Sequence, residues 1–353
     1  MLRNRSRRQN WRGAAESLAA VISRAHLHPE VSRWADSRSR AARGPWCIAF
    51  SGGADSLALL LLIWAHWPRH RSQIIALHFN HRLRGVDSGN DVRFCRAVCA
   101  GLGVRFRSDS WRRPASGAEG ASEANAREAR FEFFRVHQRR ADARALWLGH
   151  QKDDIAESML MRLARGSGAA GLSAPRPVQV FREGWVHVRP LLGLTKLEIE
   201  KTLSEIAISW RKDSTNAEAD YLRNRIRNRV LPVWKEATGP RDAVAGAMLS
   251  RAYLQEDDDA LELWVERIRA QRGLTVDLRA LEGTPRAVVR RVLQRWRVSL
   301  GHRAGDLSRQ GFEALLDAVE RGAATRLSMG KTGFARIRDF RLSYCEKVTK
   351  SRC

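Results

Sequence analysis

The stretch CIAFSGGADSLALLLL, residues 47–62, runs from apolar, strand-favouring residues into two glycines, an acid and two hydroxyls, then straight into leucines. Read as strand, tight turn and buried helix, it has the geometry to hold an anion. Glycines let the backbone turn and approach a charge, hydroxyls donate hydrogen bonds, and a helix N-terminus supplies unsatisfied N–H groups and a favourable dipole. The knot Ser51-Gly52-Gly53-Ala54-Asp55-Ser56 is neither a G-x-x-x-x-G-K-[ST] loop nor a G-x-G-x-x-G fingerprint. A plain two-glycine turn, with Asp55 capping the helix, is the alternative reading.

Outward from the knot the pattern alternates. Strand-like runs at 74–79, 104–106 and 145–150 are each followed by a helical pattern, at about 92–101, about 122–140 and after Asp153. Such alternation predicts an α/β fold with a parallel sheet, whose ligands sit where strand ends lead into helices. SGGADS, HFNHRLRG and GHQKDD all fall at such ends. TKLE at 195–198 is a capping box, with Thr195 as N-cap and Glu198 reaching back. After RVLPVW the character changes to a long helical pattern at 240–272, then mixed helices to about 321 and short strands or an irregular tail at 325–346. The expected domains are a basic N-terminal extension (1–44), a catalytic domain (45–232), a smaller helical domain that contacts nucleic acid (233–324) and a tail (325–353). An amphipathic helix at about 11–25 accounts for the extension, with an arginine-rich organellar leader as the alternative.

At 353 residues and 44% hydrophobic content the chain can bury the core of two domains. Its longest apolar run, 57–65, is far below the roughly 20 residues that cross a bilayer, so no membrane span is expected. The formal net charge of +25 draws polyanions, above all nucleic acid, although a general over-use of Arg relative to Lys would raise it too. Cys47, Cys95, Cys99, Cys345 and Cys353 make neither a disulfide framework nor a C-x-x-C pair. Buried thiols in a reducing, cytoplasmic setting fit them best.

Ser-Gly-Gly-x-Asp-Ser after a strand resembles the PP-loop of the ATP pyrophosphatases, an adenine nucleotide alpha hydrolase-like fold. Five further stretches follow in the order seen in the tRNA(Ile)-lysidine synthetase family: HFNHRLRG (78–85), EANAREARFEFF (123–134), GHQKDDIAESMLMRLARGSGAAGL (149–172), RPLL (189–192) and DSTNAEADYLRNRIRNRVLP (213–232). The resemblance spans about residues 45–232; beyond that only helical character is shared. It implies ATP and Mg²⁺ as cofactors, and free lysine and an isoleucine tRNA with a CAU anticodon as partners of a chain acting alone or as a homodimer. It also implies a reaction, in which the C2 carbonyl of the wobble cytidine is adenylated and the lysine ε-amine then displaces AMP.

By this resemblance Ser51, Gly52, Gly53, Ala54, Asp55 and Ser56 form the ATP loop, with Asp55 close to the metal or the reaction centre. His150 with Asp154, and Asp153 with Glu157, are four apart and share helical faces. Asp153 and Asp154 are either Mg²⁺ ligands, one helping to orient or deprotonate the amine, or helix caps. His150 is either catalytic or a satisfied buried histidine. His78, Asn80, His81 and Arg84 crowd one loop, and His81 and Arg84 are the candidates to contact the nucleotide or cytidine. ARGSGAAGL resembles the family's glycine-rich loop, in which Arg165 is a candidate to face a substrate phosphate, a plain flexible turn being the alternative. Arg223, Asn224 and Arg227 lie in a basic helix suited to tRNA phosphates or to plain solvent. A PP-loop tRNA thiolase, a PP-loop amidotransferase and an RNA-binding protein with a vestigial loop are the competing readings. The thiolase would want paired cysteines, the amidotransferase gives no reason for the charge, and the vestigial loop would not keep its Ser, Gly and Asp.

Overall fold

The computed structural model describes residues 9–40, 44–80, 86–111, 123–181, 183–211, 222–302, 306–330 and 333–347. The chain divides into two compact units, residues 1–252 and 253–353. The boundary expected near Pro232 thus falls later, inside a long helix.

In the first unit, α1 (Trp11–Val21) and α2 (Pro29–Arg40) precede β1 (Trp46–Ala49), α3 (Ala54–His66), β2 (Ile74–Asn80), α4 (Val86–Leu102), β3 (Arg105–Ser110), α5 (Glu123–Arg140), β4 (Ala145–Trp147) and α6 (Lys152–Leu163). Then follow α7 (Ala169–Leu172), β5 (Val178–Val180), β6 (Val186–Val188), α8 (Lys196–Glu205), α9 (Leu222–Arg225) and, after a π-helical turn at Ile226–Val230, α10 (Leu231–Ala237). The sheet order is β3-β2-β1-β4-β6-β5, with β5 antiparallel at the edge and every other pairing parallel. The chain winds outward from β1 through β2 and β3, then returns to place β4 on the other side of β1. That reversal makes a topological switch point between β1 and β4, and the crevice beyond their carboxyl ends is where such sheets take ligands.

The leucine run is apolar all round because α3 has no solvent face. Leu57 to Ile63 are completely buried, and α1 and α8 both pack on the helix. A change such as Leu60→Ala would cost about 2–5 kcal/mol, the usual range for opening a core cavity. An aromatic knot closes one end of the core. Trp46 stacks on His70 at 3.8 Å and meets Trp147 at 4.7 Å, while Trp34 of α2 packs against both tryptophans. The stretch expected as a basic extension therefore supplies core residues: Ala14, Ala15 and Leu18 of α1, Val31 and Ala35 of α2. Among the described residues no helix is long and apolar enough to cross a membrane.

α11 (Ala243–Ile268) carries the boundary between the units. The second unit continues with β7 (Gln271–Arg272), β8 (Thr275–Asp277), α12 (Arg286–Ser299), α13 (Arg309–Arg321), β9 (Thr325–Ser328), β10 (Gly333–Arg338) and β11 (Arg341–Glu346). Its helices pack Trp296, Leu293 and Leu316 against Ile337 and Leu342 of an antiparallel sheet ordered β7-β8-β11-β10-β9. The stretch expected as a separate tail thus contributes three of that sheet's five strands. The acidic run in α11 also has a partner: Arg291 and Arg295 of α12 pair with Asp258 and Glu262 across a helix–helix seam.

Candidate active site

The turn after β1 folds around Ser56. Its Oγ accepts the N–H groups of Ser51 (3.2 Å) and Gly52 (3.1 Å) and donates to the Gly53 carbonyl at 3.0 Å. Ser56 is thus the pin of the loop, while Ser51 stays exposed at its mouth. Gly52 sits at φ +91°, which disfavours any side chain, and a Cβ there would come within 3.0 Å of Cys95 Sγ. Gly53 is the N-cap of α3, and no side chain caps that first turn, so its N–H groups remain suited to an anion. From across the switch point Gly149 lets the end of β4 pass close to α3, since a Cβ there would lie 3.1 Å from the Asp55 carbonyl oxygen.

The crevice holds a cavity of about 650 Å³, lined among others by Ser51, Asp55, His150, Lys196, Arg211 and Arg227. That is a usual size for a small-molecule site. Burial pushes the Asp55 carboxyl up to about 7, and the nearby Asp154 charge pushes the same way. Asp55 Oδ1 is buried with no hydrogen-bond partner. A carboxylate in that state is suited to a cation.

The neighbouring carboxylates are engaged elsewhere. Asp154 Oδ2 accepts the Gln151 N–H at 2.9 Å, closing a capping box, and its Oδ1 accepts from Arg223 at 2.5 Å and Arg227 at 3.3 Å. Burial raises its carboxyl, and Arg223 works against that rise. Asp153 turns the other way, accepting from Lys235 Nζ at 2.7 Å and the Lys196 N–H at 3.0 Å. Its burial favours the neutral form, yet those hydrogen bonds hold the carboxyl below its ordinary value. Asp153 and Asp154 therefore diverge, and a joint role as ligands of one metal ion does not fit these contacts. The capping alternative holds for Asp154.

His150 presents Nδ1 to Arg189, whose Nε donates at 3.1 Å. Burial, and then the Arg189 charge, hold the imidazole well below its ordinary value, so it is neutral.

Arg223 and Arg227 do not form an outward-facing pair. They point inward onto Glu157, which is completely buried. Arg223 Nε donates to Glu157 at 2.8 Å, and Arg227 donates through Nε at 2.5 Å and Nη2 at 3.0 Å. The expectation that these two meet RNA phosphates is corrected by that network: burying a carboxylate demands a paired cation, and Asp154 and Glu157 take both guanidinium groups. The exposed arginines of the same segment are Arg225 and Arg229. Pro232 has no N–H for the carbonyl four residues back, which accounts for the π-turn at Ile226–Val230.

Asn224 is half-buried in α9, and Arg165 is exposed beyond the end of α6, outside the cavity lining. His78 is buried and donates Nδ1–H to the Phe50 carbonyl at 2.9 Å, tying β2 to the loop. His81 and Arg84 lie outside the described residues. Sequence reasoning overlooked Gly149, Lys196 and Arg211, and gave Glu157 and Arg189 no role. Arg211 is tied in twice: its N–H donates to the Gly52 carbonyl at 2.9 Å, and its Nε to Asp91 at 2.6 Å. Arg189 had the clearest signal, standing in RPLL at the end of a strand.

Residues 26–234 match the PP-loop domain family. Over 285 residues the chain is 35% identical to a curated protein of Geobacter sulfurreducens named tRNA(Ile)-lysidine synthase, covering 78% of this chain and 58% of that one. With a Bacillus thuringiensis protein of the same name the identity is 39% over 197 residues, covering 54% and 40%. The chain thus spans about two fifths to three fifths of the length of these relatives. Among solved structures it is similar to a U34-tRNA thiolase of Methanococcus maripaludis, at a TM-score of 0.48 and 13% identity, over 69% of this chain and 79% of that one.

Proposed function

The chain belongs to the PP-loop domain family, and from that premise we propose that it uses ATP to join lysine to the wobble cytidine of a CAU-anticodon isoleucine tRNA. The observation that carries this reading is Asp55, a buried carboxylate with an unpartnered oxygen, at the head of a glycine loop in a switch-point cavity. The relatives' shared name gives the substrate class. The 285-residue alignment is too long to fit within residues 26–234, so the likeness reaches past the PP-loop region.

Two steps are required. The C2 carbonyl oxygen of the cytidine attacks the α-phosphorus of ATP and the bond to pyrophosphate breaks. The lysine ε-amine then attacks C2, the C2–O bond breaks, AMP leaves with that oxygen, and the nitrogen gives up a proton. Gly52 and Gly53 let the backbone approach the phosphates, and the uncapped first turn of α3 faces the anion. Lys196 and Arg211, both lining the cavity, add positive charge beside the leaving pyrophosphate. The unpartnered Asp55 oxygen fits Mg²⁺, whereas Asp153 and Asp154 have theirs engaged. Mg²⁺ held there would supply neutralisation of charge on the phosphates. Exposed Arg225 and Arg229 suit the tRNA backbone. Acting on tRNA, the chain would work in the cytoplasm.

Sulfur transfer is disfavoured by the thiols. Cys47, Cys95 and Cys99 are buried and none lines the cavity. Burial pushes the Cys47 and Cys99 thiols up to about 12, which leaves them unreactive. The test is ATP cleavage to AMP and pyrophosphate in the presence of lysine. It should require the CAU tRNA transcript and stop with Asp55→Asn; turnover independent of tRNA would contradict the proposal.

A further inference from the structure

His150 and Arg189 stand side by side because of sheet register. β4 and β6 are parallel neighbours with Trp147 opposite Val188, and the Leu148 N–H donates to the Val188 carbonyl at 2.9 Å. The residues that follow, His150 on one strand end and Arg189 on the other, therefore emerge at the same edge. His150 lines the cavity; Arg189, only 5% exposed, lies behind it.

From this placement we propose that Arg189 is a positioning residue that locks His150 as its Nε2–H tautomer, making it a neutral hydrogen-bond donor to an anionic oxygen in the cavity and not a proton acceptor. The proposal rests on reading this cavity as the ATP site.

A guanidinium has five N–H donors, no acceptor, and keeps its charge under all ordinary conditions. Arg189 spends them on neutral partners: Nε on His150 Nδ1, Nη1 on the Arg176 carbonyl at 2.7 Å, and Nη2 on Gln179 Oε1 at 3.3 Å, with His187 Nδ1 at 3.5 Å. A nitrogen that accepts from Arg189 must offer a lone pair, so the His150 proton resides on Nε2. Protonating Nδ1 would set two cations against each other at 3.1 Å.

The charges that bear on His150 add to this. Arg189, Arg223, Arg127 and Arg130 all press toward the neutral ring. His187, beside the same guanidinium, is itself held at about 3 by burial and then by Arg189, and adds no positive charge. A guanidinium buried among neutral acceptors is costly, and its main electrostatic neighbours, Arg127 and Arg162, are also cations. A residue serving only to fill space would not need that charge. Placed here, it polarises the imidazole and strengthens the remaining N–H toward whatever anion the cavity holds. The lysine proton must then leave by a route other than His150.

The experiment reads the ring directly. Full-length protein with ¹⁵N-histidine is examined by long-range ¹H–¹⁵N correlation, and His150 is assigned by its loss in His150→Gln. The expected signal is the neutral, Nε2-protonated pattern, unchanged from pH 8 to pH 5. A Nδ1-protonated ring, or one that titrates near 6.5, overturns the proposal. Arg189→Met removes the donor that fixes Nδ1 as acceptor and should let the Nδ1-protonated tautomer appear, with the ring still neutral because burial is the larger cause; an unchanged spectrum would remove Arg189 from the role. These spectra need no substrate, so they decide the point even if the proposed reaction is wrong, and the wild-type spectrum decides it if the variant does not fold. In ATP cleavage, His150→Gln keeps a donor and should stay within about tenfold of wild type, while His150→Leu should lose about 100-fold or more, the usual worth of one well-placed donor. Equal collapse of both variants would overturn the donor role.

Discussion

Replacing Asp55 by Asn should make the ligand-free protein more stable at alkaline pH while abolishing its activity. The carboxyl is raised from its ordinary 3.8 to about 7, first by burial and then by Asp154, so folding opposes its ionisation. Below pH 3.8 it is neutral in both states and the folded chain bears no cost. Between 3.8 and about 7 the unfolded chain ionises and the folded chain resists, so this group's contribution to stability falls as pH rises; above about 7 the full cost remains. At 1.36 kcal/mol per unit the cost is about 1.5 kcal/mol at pH 5 and about 4 kcal/mol at pH 8, and solvent at the cavity mouth trims the latter to about 2–4 kcal/mol. Asn is neutral throughout and escapes it. Urea midpoints of both proteins, without nucleotide or metal, should therefore separate as pH rises from 5 to 8, with the variant ahead. Mg²⁺ with a non-hydrolysable ATP analogue should stabilise the wild type and not the variant. A variant less stable than wild type at pH 8, or a margin that ignores pH, would refute the picture of Asp55 as an uncompensated buried carboxylate.

The other predictions follow from single contacts. Glu157→Ala strips Arg223 and Arg227 of their completely buried partner and should cost about 3–5 kcal/mol in urea unfolding; a loss below about 1 kcal/mol would show the network to be unimportant. Gly52→Ala, at φ +91° and against Cys95 Sγ, should cost about 1–3 kcal/mol and weaken ATP binding by calorimetry, and unaltered affinity would argue against that loop as the phosphate site. Arg225→Ala with Arg229→Ala should lower the slope of log affinity for tRNA against log salt by about 1 to 2, whereas an unchanged slope would return both residues to ordinary surface. Cys47 and Cys99, buried and pushed up to about 12, should resist thiol reagents until the protein unfolds; labelling in the native state would contradict the core packing.

The strand, knot and buried helix were legible because three local signals agreed: a β-rich run, glycines where the chain turns, and leucines with no polar face. Gly52 at φ +91° and α3 without a solvent side are what those signals describe. The capping box at Thr195 and Glu198 was legible for the same reason, its chemistry being confined to four residues. Long-range pairing was not. Arginines at 223 and 227 look alike whether they face water or a buried Glu157, since both cases show a spacing of four. The edge strand β5 and strands β7 and β8 are three residues long or less, too short for a period-two pattern. α1 was legible as an amphipathic helix at about 11–25; α2 was not, because the core residues Val31 and Ala35 are too few to set a pattern among its arginines and serines. Asp153 and Asp154 looked like a matched pair because neighbours in sequence were taken as neighbours in aim; the start of α6 turns them apart.

The most direct test of the central proposal is incorporation of labelled lysine into an unmodified CAU-anticodon isoleucine tRNA transcript with ATP and Mg²⁺, beside a CAU-anticodon methionine tRNA. The expected result is ATP-dependent label in the isoleucine tRNA alone, lost with Asp55→Asn. Absence of lysine in either tRNA while AMP and pyrophosphate are still released would contradict it, leaving the PP-loop chemistry in place with a different nucleophile.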